Sequence, residues 1–308
     1  MRYIKDTLEF QIEEPSVVSL GKFDGLHEGH KSLIHRMQEA KKEGLTSVAL
    51  TFDLPPSTLN GQPHKLLTTR REKRHIMADS GIDILVELPF TEELKTMQPY
   101  DFLKWLTDRI QIREIVTGSD FRFGYKRAGS YETLQEYAGE FGYHLTVLQK
   151  LQYEKRDISS TRIRALIAEG RMEEANHLLG YNFFMIAPVI KGKQIGRTIG
   201  IPTANQRPEE DKLLPPNGVY VAEAEVGGKV YYGIADIGQK PTIEGDNPLG
   251  VETFLFDFEG DLYGEIMKVS FLHYVRPELK FSGLEELKAQ IGADVETARA
   301  WIAAREEK

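Results

Sequence analysis

The chain has 308 residues, enough for about two domains at a typical ~150 residues each, and its 41% apolar and 28% charged content is that of an ordinary globular protein. It has no cysteine, which excludes disulfide frameworks, thiolate zinc sites, iron–sulfur clusters and cysteine nucleophiles. The net charge of −8 disfavours bulk electrostatic attraction to nucleic acid or to an anionic membrane, although local sites can still hold small anions.

Short apolar runs alternate with helical patterns through the N-terminal half of the chain. The runs typical of buried strands are Val17–Leu20, Ser47–Phe52, Ile84–Leu88, Ile115–Thr117 and Leu145–Leu148. Between the first two, His30–Glu43 carries apolar residues at helical spacing, and Gly44 supplies a stop signal. Strand–helix–strand repetition predicts a parallel sheet covered by helices, and ligands of such folds bind beyond the carboxyl ends of the strands.

The sequence pattern changes after residue 180. Helices are predicted just before that point, over Ser160–Glu169 and Met172–Leu179. Beyond Tyr181, alternating runs separated by glycine or proline turns indicate an antiparallel sheet or small barrel, and these runs are Val219–Val226, Lys229–Ile237, Val251–Phe258 and Ile266–Phe271. Leu284–Ile302 then shows a helical apolar stripe. We therefore predict two domains, residues 1–180 and 181–308.

The sequence shows neither a membrane span nor a secretory signal. The longest apolar stretch, Phe183–Ile190, is far shorter than the ~18 residues that indicate a transmembrane helix. The N-terminal segment carries Asp6, Glu9 and Glu13, whereas a secretory signal begins with positive charge. We expect a soluble cytoplasmic protein whose partners are small molecules, with no nucleic acid and no membrane, and we leave open a weak homo-oligomer.

A glycine-rich turn joins the first predicted strand to the first predicted helix. It runs from Gly21 to His30 (GKFDGLHEGH), and its glycines let backbone N–H groups approach a ligand closely. The N-terminus of the following helix favours phosphate. His27 and His30 can donate hydrogen bonds to phosphate oxygens on which charge grows in a transition state. The alternatives are capping histidines or an HxxH zinc pair, for which no nearby residues complete a ligand set.

The turn resembles the pattern GxFDGxHxGH of the bacterial bifunctional riboflavin kinase/FAD synthetase family, within the HxGH nucleotidyltransferase superfamily. A second signature of that superfamily, ISSTxIR, stands intact at Ile158–Arg164. On its residues alone this segment is a hydroxyl-rich helix start suited either to capping or to phosphate. The resemblance implies that His27 and His30 are catalytic. It also implies that ATP is bound by Gly21, Phe23, Asp24, Gly25, His27, His30, Ser160, Thr161 and Arg164.

Gly118–Gly124 (GSDFRFG) resembles the GxDFxFG segment of the same family, which is implied to shape the cleft for flavin and nucleotide. Aromatic side chains there can stack on an isoalloxazine ring, although a Phe pair after a strand is more often part of a core. The resemblance implies that FMN is contacted by Phe52, Asp120, Phe123 and Arg127. One position departs from the family pattern TFxPHP, because Pro55 stands in place of its histidine.

The C-terminal part contains a segment, Gly192–Asn205, that resembles the riboflavin kinase signature GxxxGRxLGxPTAN. Its glycines let a loop close over phosphates, and Thr203 and Asn205 offer neutral oxygens of the kind that Mg²⁺ accepts. Read alone, Pro-Thr-Ala-Asn is an ordinary turn after a strand. The resemblance implies that ATP and Mg²⁺ are bound by Gly192, Gly196, Arg197, Pro202, Thr203, Asn205 and Tyr220, with Thr203 and Asn205 as the metal ligands.

A glutamate in a later strand is the candidate general base. Glu252 stands where the family has its E-x-H segment, and alternation puts it on one strand face with Phe254 and Phe256. By resemblance it takes the proton from the 5′-hydroxyl of riboflavin, and Arg276 contacts the flavin. Without the resemblance, Glu252 would be interpreted as a solvated strand residue. Phe254 replaces the family's histidine.

The motifs cover nearly the whole chain in the family's order and imply both a fold and a function. The expected fold is α/β: an N-terminal Rossmann-like HxGH nucleotidyltransferase domain with a parallel sheet, followed by a C-terminal antiparallel β-barrel riboflavin kinase domain with a terminal helix. The expected enzyme phosphorylates riboflavin with ATP to give FMN. It then transfers AMP from ATP to FMN, giving FAD and pyrophosphate, with Mg²⁺ as the cofactor.

Other functions stay open on the sequence alone. They are a flavin-binding regulatory protein that has lost an activity, a monofunctional riboflavin kinase, and another HxGH cytidylyltransferase. Pro55 and Phe254 are the residues that favour the first of these. The intact HxGH and ISSTxIR motifs argue against a degraded N-terminal domain, and the PTAN motif argues against a cytidylyltransferase.

Overall fold

The structure is a computed structural model that describes residues 1–53, 65–192, 196, 200–239 and 249–306. The chain folds into two compact units, Met1–Leu66 with Arg70–Ser160 and Leu67–Thr69 with Thr161–Lys308. Residues 161–180, which the sequence pattern places in the first domain, group with the second unit. The assignment of one expected activity to residues 1–180 and of the other to residues 181–308 stays a prediction.

The first unit is built on a parallel sheet. Its strands are β1 (Arg2–Lys5), β2 (Ile12–Leu20), β3 (Thr46–Asp53), β4 (Ile84–Pro89), β5 (Ile110–Gly118), β6 (Arg122–Phe123), β7 (Gly129–Ser130), β8 (His144–Leu148), β9 (Gln152–Tyr153) and β10 (Arg156–Asp157). Its helices are α1 (Glu28–Lys42), α2 (Arg70–Asp79), α3 (Glu92–Thr96), α4 (Pro99–Thr107) and α5 (Tyr131–Phe141). The six-stranded sheet has the order β1-β4-β3-β2-β5-β8, and all of its pairs are parallel.

The sheet buries both of its faces, which explains why its central strands are nearly continuous apolar runs. Consecutive residues of β2 enter different cores: Val17 lies in one cluster with Met37 of α1, and Val18 lies in the other with Phe102 of α4. All four side chains are buried. The predicted parallel sheet covered by helices is thereby confirmed.

The carboxyl edge of this sheet carries the motifs of the first unit. β2 ends at Leu20, directly before the glycine-rich turn, and α1 begins inside that turn at Glu28. β5 ends at Gly118, the first residue of the GSDFRFG segment, and β3 ends at Asp53. Because parallel strands end at one edge, the motifs converge there. Pro55 lies outside the described residues.

The second unit is built on a closed antiparallel barrel. Its strands are β11 (Phe184–Ile190), β12 (Ala204–Gln206), β13 (Gly218–Val226), β14 (Lys229–Gln239), β15 (Leu249–Leu255) and β16 (Ile266–Arg276), and their order around the barrel is β11-β12-β15-β14-β13-β16. Its helices are α6 (Ser160–Ala168), which starts at the unit boundary, α7 (Met172–Leu179) and α8 (Leu284–Glu306). The predicted barrel with a terminal helix is confirmed.

Helices cover the barrel on the outside. Ala298 and Ile302 of α8 share a buried cluster with Val221 of β13 and Ile234 of β14. On α7, the side-chain amide of Asn176 donates to the carbonyl of Phe271 at 3.0 Å and accepts from the backbone N–H of Phe183 at 2.7 Å. Among the described residues, no helix combines the length and the hydropathy that crossing a membrane requires.

Several elements differ from the sequence prediction. The edge strand β1 and helices α2 to α5 were not predicted, because their apolar residues are few or are interrupted by charges. β15 ends at Leu255, whereas the apolar pattern continues to Phe258. The buried stripe of α8 includes an acidic residue, Asp294, whose side chain is only 3% exposed. It tolerates burial because an arginine on β16 neutralises it, as described below.

Candidate active sites

The glycine-rich turn is held in a strained backbone conformation by its own apolar residues. The backbone N–H of Gly21 donates to the carbonyl of Leu50 at 3.0 Å, which ties the turn to β3. Phe23 and Leu26 have φ values of +47° and +34°, in the left-handed region that L-residues rarely adopt. Both side chains are buried in the core beneath α1, and this packing offsets the strain. The turn is therefore a preorganised cradle.

The two histidines of the turn lie face to face. Their ring centroids are 3.8 Å apart with an interplanar angle of 22°, and Phe23 packs edge-on against His30. A Cβ atom at Gly29 would come within 3.2 Å of the His27 ring, so a larger residue there would push the ring aside. In the part of the chain that the structure describes, Nδ1 of His30 is buried without a hydrogen-bond partner. Such an atom is well placed to bind a ligand.

The electrostatic environment keeps His30 neutral. Burial lowers the pKa of His30 well below its ordinary value of 6.5, and the positive charges of His27 and Lys73 lower it further. A neutral imidazole offers one N–H donor and one acceptor nitrogen. It can therefore donate to a phosphate oxygen without first having to gain a proton.

The second motif of this site meets the turn directly. The hydroxyl of Ser160, the first residue of α6, donates to the carbonyl of Asp24 at 2.9 Å. Residues 136 positions apart in the sequence are thus joined, which brings together the two motifs that were predicted to bind ATP. Thr161 and Arg164 follow on the same helix, Thr161 exposed and Arg164 half-buried.

The residues predicted to contact FMN fall into two groups. Phe52 and Phe123 both pack against Phe102, with ring centroids 6.5 and 5.9 Å apart, so the structure brings them into one aromatic cluster. Phe123 is buried in the core with 8% of its surface exposed, and its contact with a flavin ring stays a prediction. Asp120 pairs with Lys150 at 2.9 Å, and Arg127 is exposed with a φ of +61°. Among the described residues, no ion pair or ring contact joins Asp120 or Arg127 to Phe52 or Phe123.

In the barrel, the candidate base is central to a row of polar residues. Register pairs Glu252 on β15 with Asn205 on β12 and with Asp236 on β14, so these three residues are directly opposite one another on adjacent strands. Residues opposite one another in antiparallel strands have side chains on the same face. The hydroxyl of Thr203 donates to Oε2 of Glu252 at 3.3 Å. The PTAN segment and the predicted base therefore form one site.

Arg276 is fixed by a buried carboxylate. Its guanidinium makes a bidentate pair with Asp294 of α8, Nε to Oδ1 at 2.8 Å and Nη2 to Oδ2 at 2.6 Å. Gln290 adds a third hydrogen bond to the same carboxylate at 3.0 Å. Two parallel bonds to a planar guanidinium leave it little freedom to rotate. The orientation of Arg276 is thus set from α8.

Two cavities meet at Thr203. The smaller, about 270 Å³, has an apolar side and a charged side, and its lining includes Asp236, Glu252, Phe254, Arg276, Phe281 and Asp294. The larger, about 550 Å³, has a lining that includes Pro202, Thr203, Thr253, Phe258 and Tyr263. A cavity with a few convergent polar groups in an apolar wall is the usual form of a small-molecule site. Thr203 is well placed to lie between two substrates.

The remaining predicted kinase residues are placed as follows. A Cβ at Gly192 would come within 2.7 Å of the Asn205 side chain, and Gly196 lines the smaller cavity. Tyr220 is fully buried, and its hydroxyl donates to the carbonyl of Pro216 at 2.6 Å. It lines neither cavity, so we leave it out of the proposed ATP site. Arg197 lies outside the described residues.

Sequence reasoning missed three residues that the structure places at these sites. Lys73 stands in a run of charges that is typical of a solvated helix face. Asp236 lies in an alternating strand, where a charge is usually solvated. Asp294 could have been identified from the sequence, because it follows Ile291 by three positions and therefore lies on the apolar stripe of α8.

Comparison with known proteins identifies two family regions along the chain. The family model described as FAD synthetase matches residues 9–162, and the one described as riboflavin kinase matches residues 179–302. The bifunctional riboflavin kinase/FMN adenylyltransferase of Listeria monocytogenes is 38% identical over 94% of each chain. The protein of the same description from Bacillus subtilis is 36% identical over 92% of this chain and 91% of its own.

A solved structure has the same architecture. It is a Streptococcus pneumoniae chain described as a macrolide-efflux protein, with a TM-score of 0.87 and 31% sequence identity, and the match covers 98% of this chain and 100% of the other. Both family models thus match one chain, the FAD synthetase model first and the riboflavin kinase model second. The chain belongs to the bifunctional riboflavin kinase/FMN adenylyltransferase family.

Proposed function

We propose that the chain converts riboflavin to FMN with its C-terminal region and FMN to FAD with its N-terminal region, using ATP in both steps. The proposed division is residues 1–180 for adenylyl transfer and 181–308 for phosphorylation. The observation that carries the proposal is that the two family models match separate parts of the chain, residues 9–162 and 179–302, and that a hydrogen bond joins predicted site residues within each part. Riboflavin, FMN and ATP are the proposed small-molecule partners.

In adenylyl transfer, a phosphate oxygen of FMN attacks the α-phosphorus of ATP. The bond from that phosphorus to the bridging oxygen breaks, and pyrophosphate leaves with the electron pair. Negative charge grows on the oxygens of the transferred group. The imidazoles of His27 and His30 and the N-terminus of α1 are proposed to stabilise that charge, while Ser160 holds the turn.

In phosphorylation, Glu252 is proposed as the general base. Its carboxylate accepts the proton of the riboflavin 5′-hydroxyl as the hydroxyl oxygen attacks the γ-phosphorus, and ADP leaves. Glu252 is half-buried in the smaller cavity, and the hydrogen bond from Thr203 orients one of its oxygens. Phe254 and Phe281 offer apolar surface to the flavin ring, and Arg276 is held in place to contact it.

Mg²⁺ is the proposed cofactor of the kinase site. The hydroxyl of Thr203 and the amide oxygen of Asn205 are hard oxygen donors, and the carboxylate of Asp236 lies in the same row, while Glu252 is kept for the proton. Oxygen donors of this kind suit Mg²⁺, which binds few protein groups together with substrate phosphates. The ion would offset the charge of the ATP phosphates. Because both reactions consume ATP, we also propose that the protein acts in the cytoplasm.

The test is to incubate the purified chain with riboflavin, ATP and Mg²⁺ and to separate the flavins by chromatography. FMN should form first and FAD should follow. FMN alone would show that only the kinase is active, whereas FAD made only from supplied FMN would show that only the adenylyltransferase is. Flavin binding with no product would support a regulatory protein and overturn the proposal.

A further inference from the structure

A buried lysine lies next to the glycine-rich turn. Nζ of Lys73, on α2, is 3.4 Å from the hydroxyl oxygen of Thr51, and that hydroxyl donates to the carbonyl of Lys22 at 3.2 Å. Lys22 belongs to the turn that cradles phosphate, and Thr51 lies near the carboxyl end of β3. The ammonium group is therefore at the sheet edge where ligands of this fold bind. Only 11% of the Lys73 side chain is exposed.

Among the residues that the structure describes, the carboxylates neutralise this ammonium incompletely. Its nearest carboxylate oxygen in the described part of the chain is Oε1 of Glu87, 3.9 Å away, which is beyond hydrogen-bonding distance. The other oxygen of Glu87 is already used, because it accepts from Nε of Arg70 at 2.9 Å and from the hydroxyl of Tyr3. A buried ammonium has three donors to satisfy, and burying it without strong partners is costly. An anionic ligand would supply the missing acceptors.

The electrostatics of the neighbourhood agree with this geometry. Burial lowers the pKa of Lys73, although the carboxylates of Glu87, Asp24 and Asp53 act in the opposite direction. The charge on Lys73 in turn contributes to the lowered pKa of His30. Lys73 therefore lies close enough to the turn to affect His30 electrostatically.

We propose that Lys73 binds the pyrophosphate part of ATP and holds the pyrophosphate group as it leaves. The inference rests on the adenylyl transfer proposed above for this region. The histidines are assigned to the α-phosphate of the transferred adenylyl group, so they are not available to the leaving pyrophosphate, which a nearby cation would stabilise. Lysine suits this role because a point charge on a flexible stem can follow a group that moves away.

The experiment measures the reverse reaction, in which FAD and pyrophosphate give FMN and ATP. Pyrophosphate is a substrate only at the adenylyl-transfer site, so its KM is not affected by the kinase site. Lys73→Met keeps much of the length and removes the charge. It should raise the KM for pyrophosphate by about 10- to 100-fold, the usual effect of one charge-assisted hydrogen bond, and leave the KM for FAD within about twofold. Lys73→Arg should recover part of the loss.

Two matched variants separate binding from stability. Lys104→Met removes an exposed lysine of α4 that pairs with Asp108 at 3.0 Å, and it should change neither KM nor the melting temperature. Glu87→Gln removes the nearest carboxylate and keeps Lys73. If Lys73 served only to neutralise Glu87, both Glu87→Gln and Lys73→Met would lower the melting temperature and neither would change the KM for pyrophosphate.

The outcomes distinguish the two proposals. A wild-type chain that makes FAD, together with a folded Lys73→Met variant of unchanged KM for pyrophosphate, overturns the role of Lys73 alone. A wild-type chain that interconverts FMN and FAD in neither direction overturns the proposed adenylyl transfer, and the role of Lys73 with it. If Lys73→Met does not fold, Lys73→Arg is the variant that tests the proposal. Arginine keeps the charge but places its N–H donors differently, so the KM for pyrophosphate should still rise several-fold.

Discussion

The two sites bind the same nucleotide with different electrostatics. In the proposed mechanism the first would present backbone N–H groups, two imidazoles and the ammonium of Lys73 to the phosphates. The smaller cavity of the second is lined by carboxylates and by Arg276, and Asp294 already neutralises that arginine. Phosphate can therefore bind directly to protein groups at the first site. At the second it would be repelled by Asp236 and Glu252 unless a cation came between them.

The two sites are also kept rigid in different ways. The turn of the first site keeps its strained backbone because Phe23 and Leu26 are buried beneath it. The second site uses cross-strand register, which fixes Asn205, Glu252 and Asp236 in one row without backbone strain. The first site should therefore be sensitive to packing changes, and the second to changes in single polar groups.

The largest effect is expected at Glu252. Glu252→Gln keeps the shape and removes the proton acceptor, so FMN formation should fall by about 10²- to 10⁴-fold, the usual contribution of general-base catalysis. Conversion of supplied FMN to FAD should proceed at the wild-type rate, because that chemistry belongs to the other site. Both half-reactions are measured on one preparation, together with thermal melting. Near-normal kinase activity would show that another group accepts the proton.

For His30 at the first site we expect the converse, a loss of FAD formation with FMN formation retained. His30→Ala should reduce FAD formation by about 10²- to 10³-fold, as expected when one donor to a developing oxyanion is lost, and leave FMN formation almost unchanged. His35 is the matched control, because it lies on the same helix with a side chain 73% exposed. His35→Ala should alter neither rate. Equal loss of both activities in His30→Ala would indicate a folding defect instead of a catalytic role.

Features that depend on the local sequence could be predicted, whereas features that depend on contacts between distant parts of the chain could not. The turn, its histidines and the strands before them were predicted because glycines and apolar runs at a parallel sheet edge are local signals. Lys73 and Asp236 were missed because their importance depends on contacts across strands and helices, while their local sequence is typical of a solvated surface. The flavin contact of Phe123 stays a prediction, because the structure shows only that its ring packs in the core with a small exposed part.

A smaller effect is expected when the support of Arg276 is weakened. Asp294→Asn removes the charge from a buried bidentate pair, so the KM for riboflavin should rise by about 10-fold, and the melting temperature should fall. Asp257→Asn is the control, because Asp257 forms an exposed pair with Arg299 at 3.2 Å, and such pairs contribute little to stability. The KM for ATP in the kinase reaction should stay constant. A fall in melting temperature with an unchanged KM for riboflavin would assign Asp294 to stability alone.

The smallest effect concerns the stability of the first unit in acid. The fold keeps His30 neutral, since its pKa lies well below the ordinary 6.5, so the unfolded chain binds more protons than the folded one as the pH falls below about 6.5. Stability is therefore fully present above that pH and decreases below it, by at most about 1.4 kcal/mol per pH unit for one group. His30→Gln cannot gain a proton, so it should lose less stability than the wild-type chain between pH 7.5 and 5.5. The measurement is urea unfolding with Trp301→Phe in each protein, so that the fluorescence of Trp105 reports on the first unit. His35→Gln, which removes an exposed imidazole, should keep the wild-type pH dependence. Identical slopes for all three proteins would show that His30 is protonated as easily in the folded chain as in the unfolded one, and the donor proposed for adenylyl transfer would then be a mixture of neutral and charged imidazole around pH 6.5.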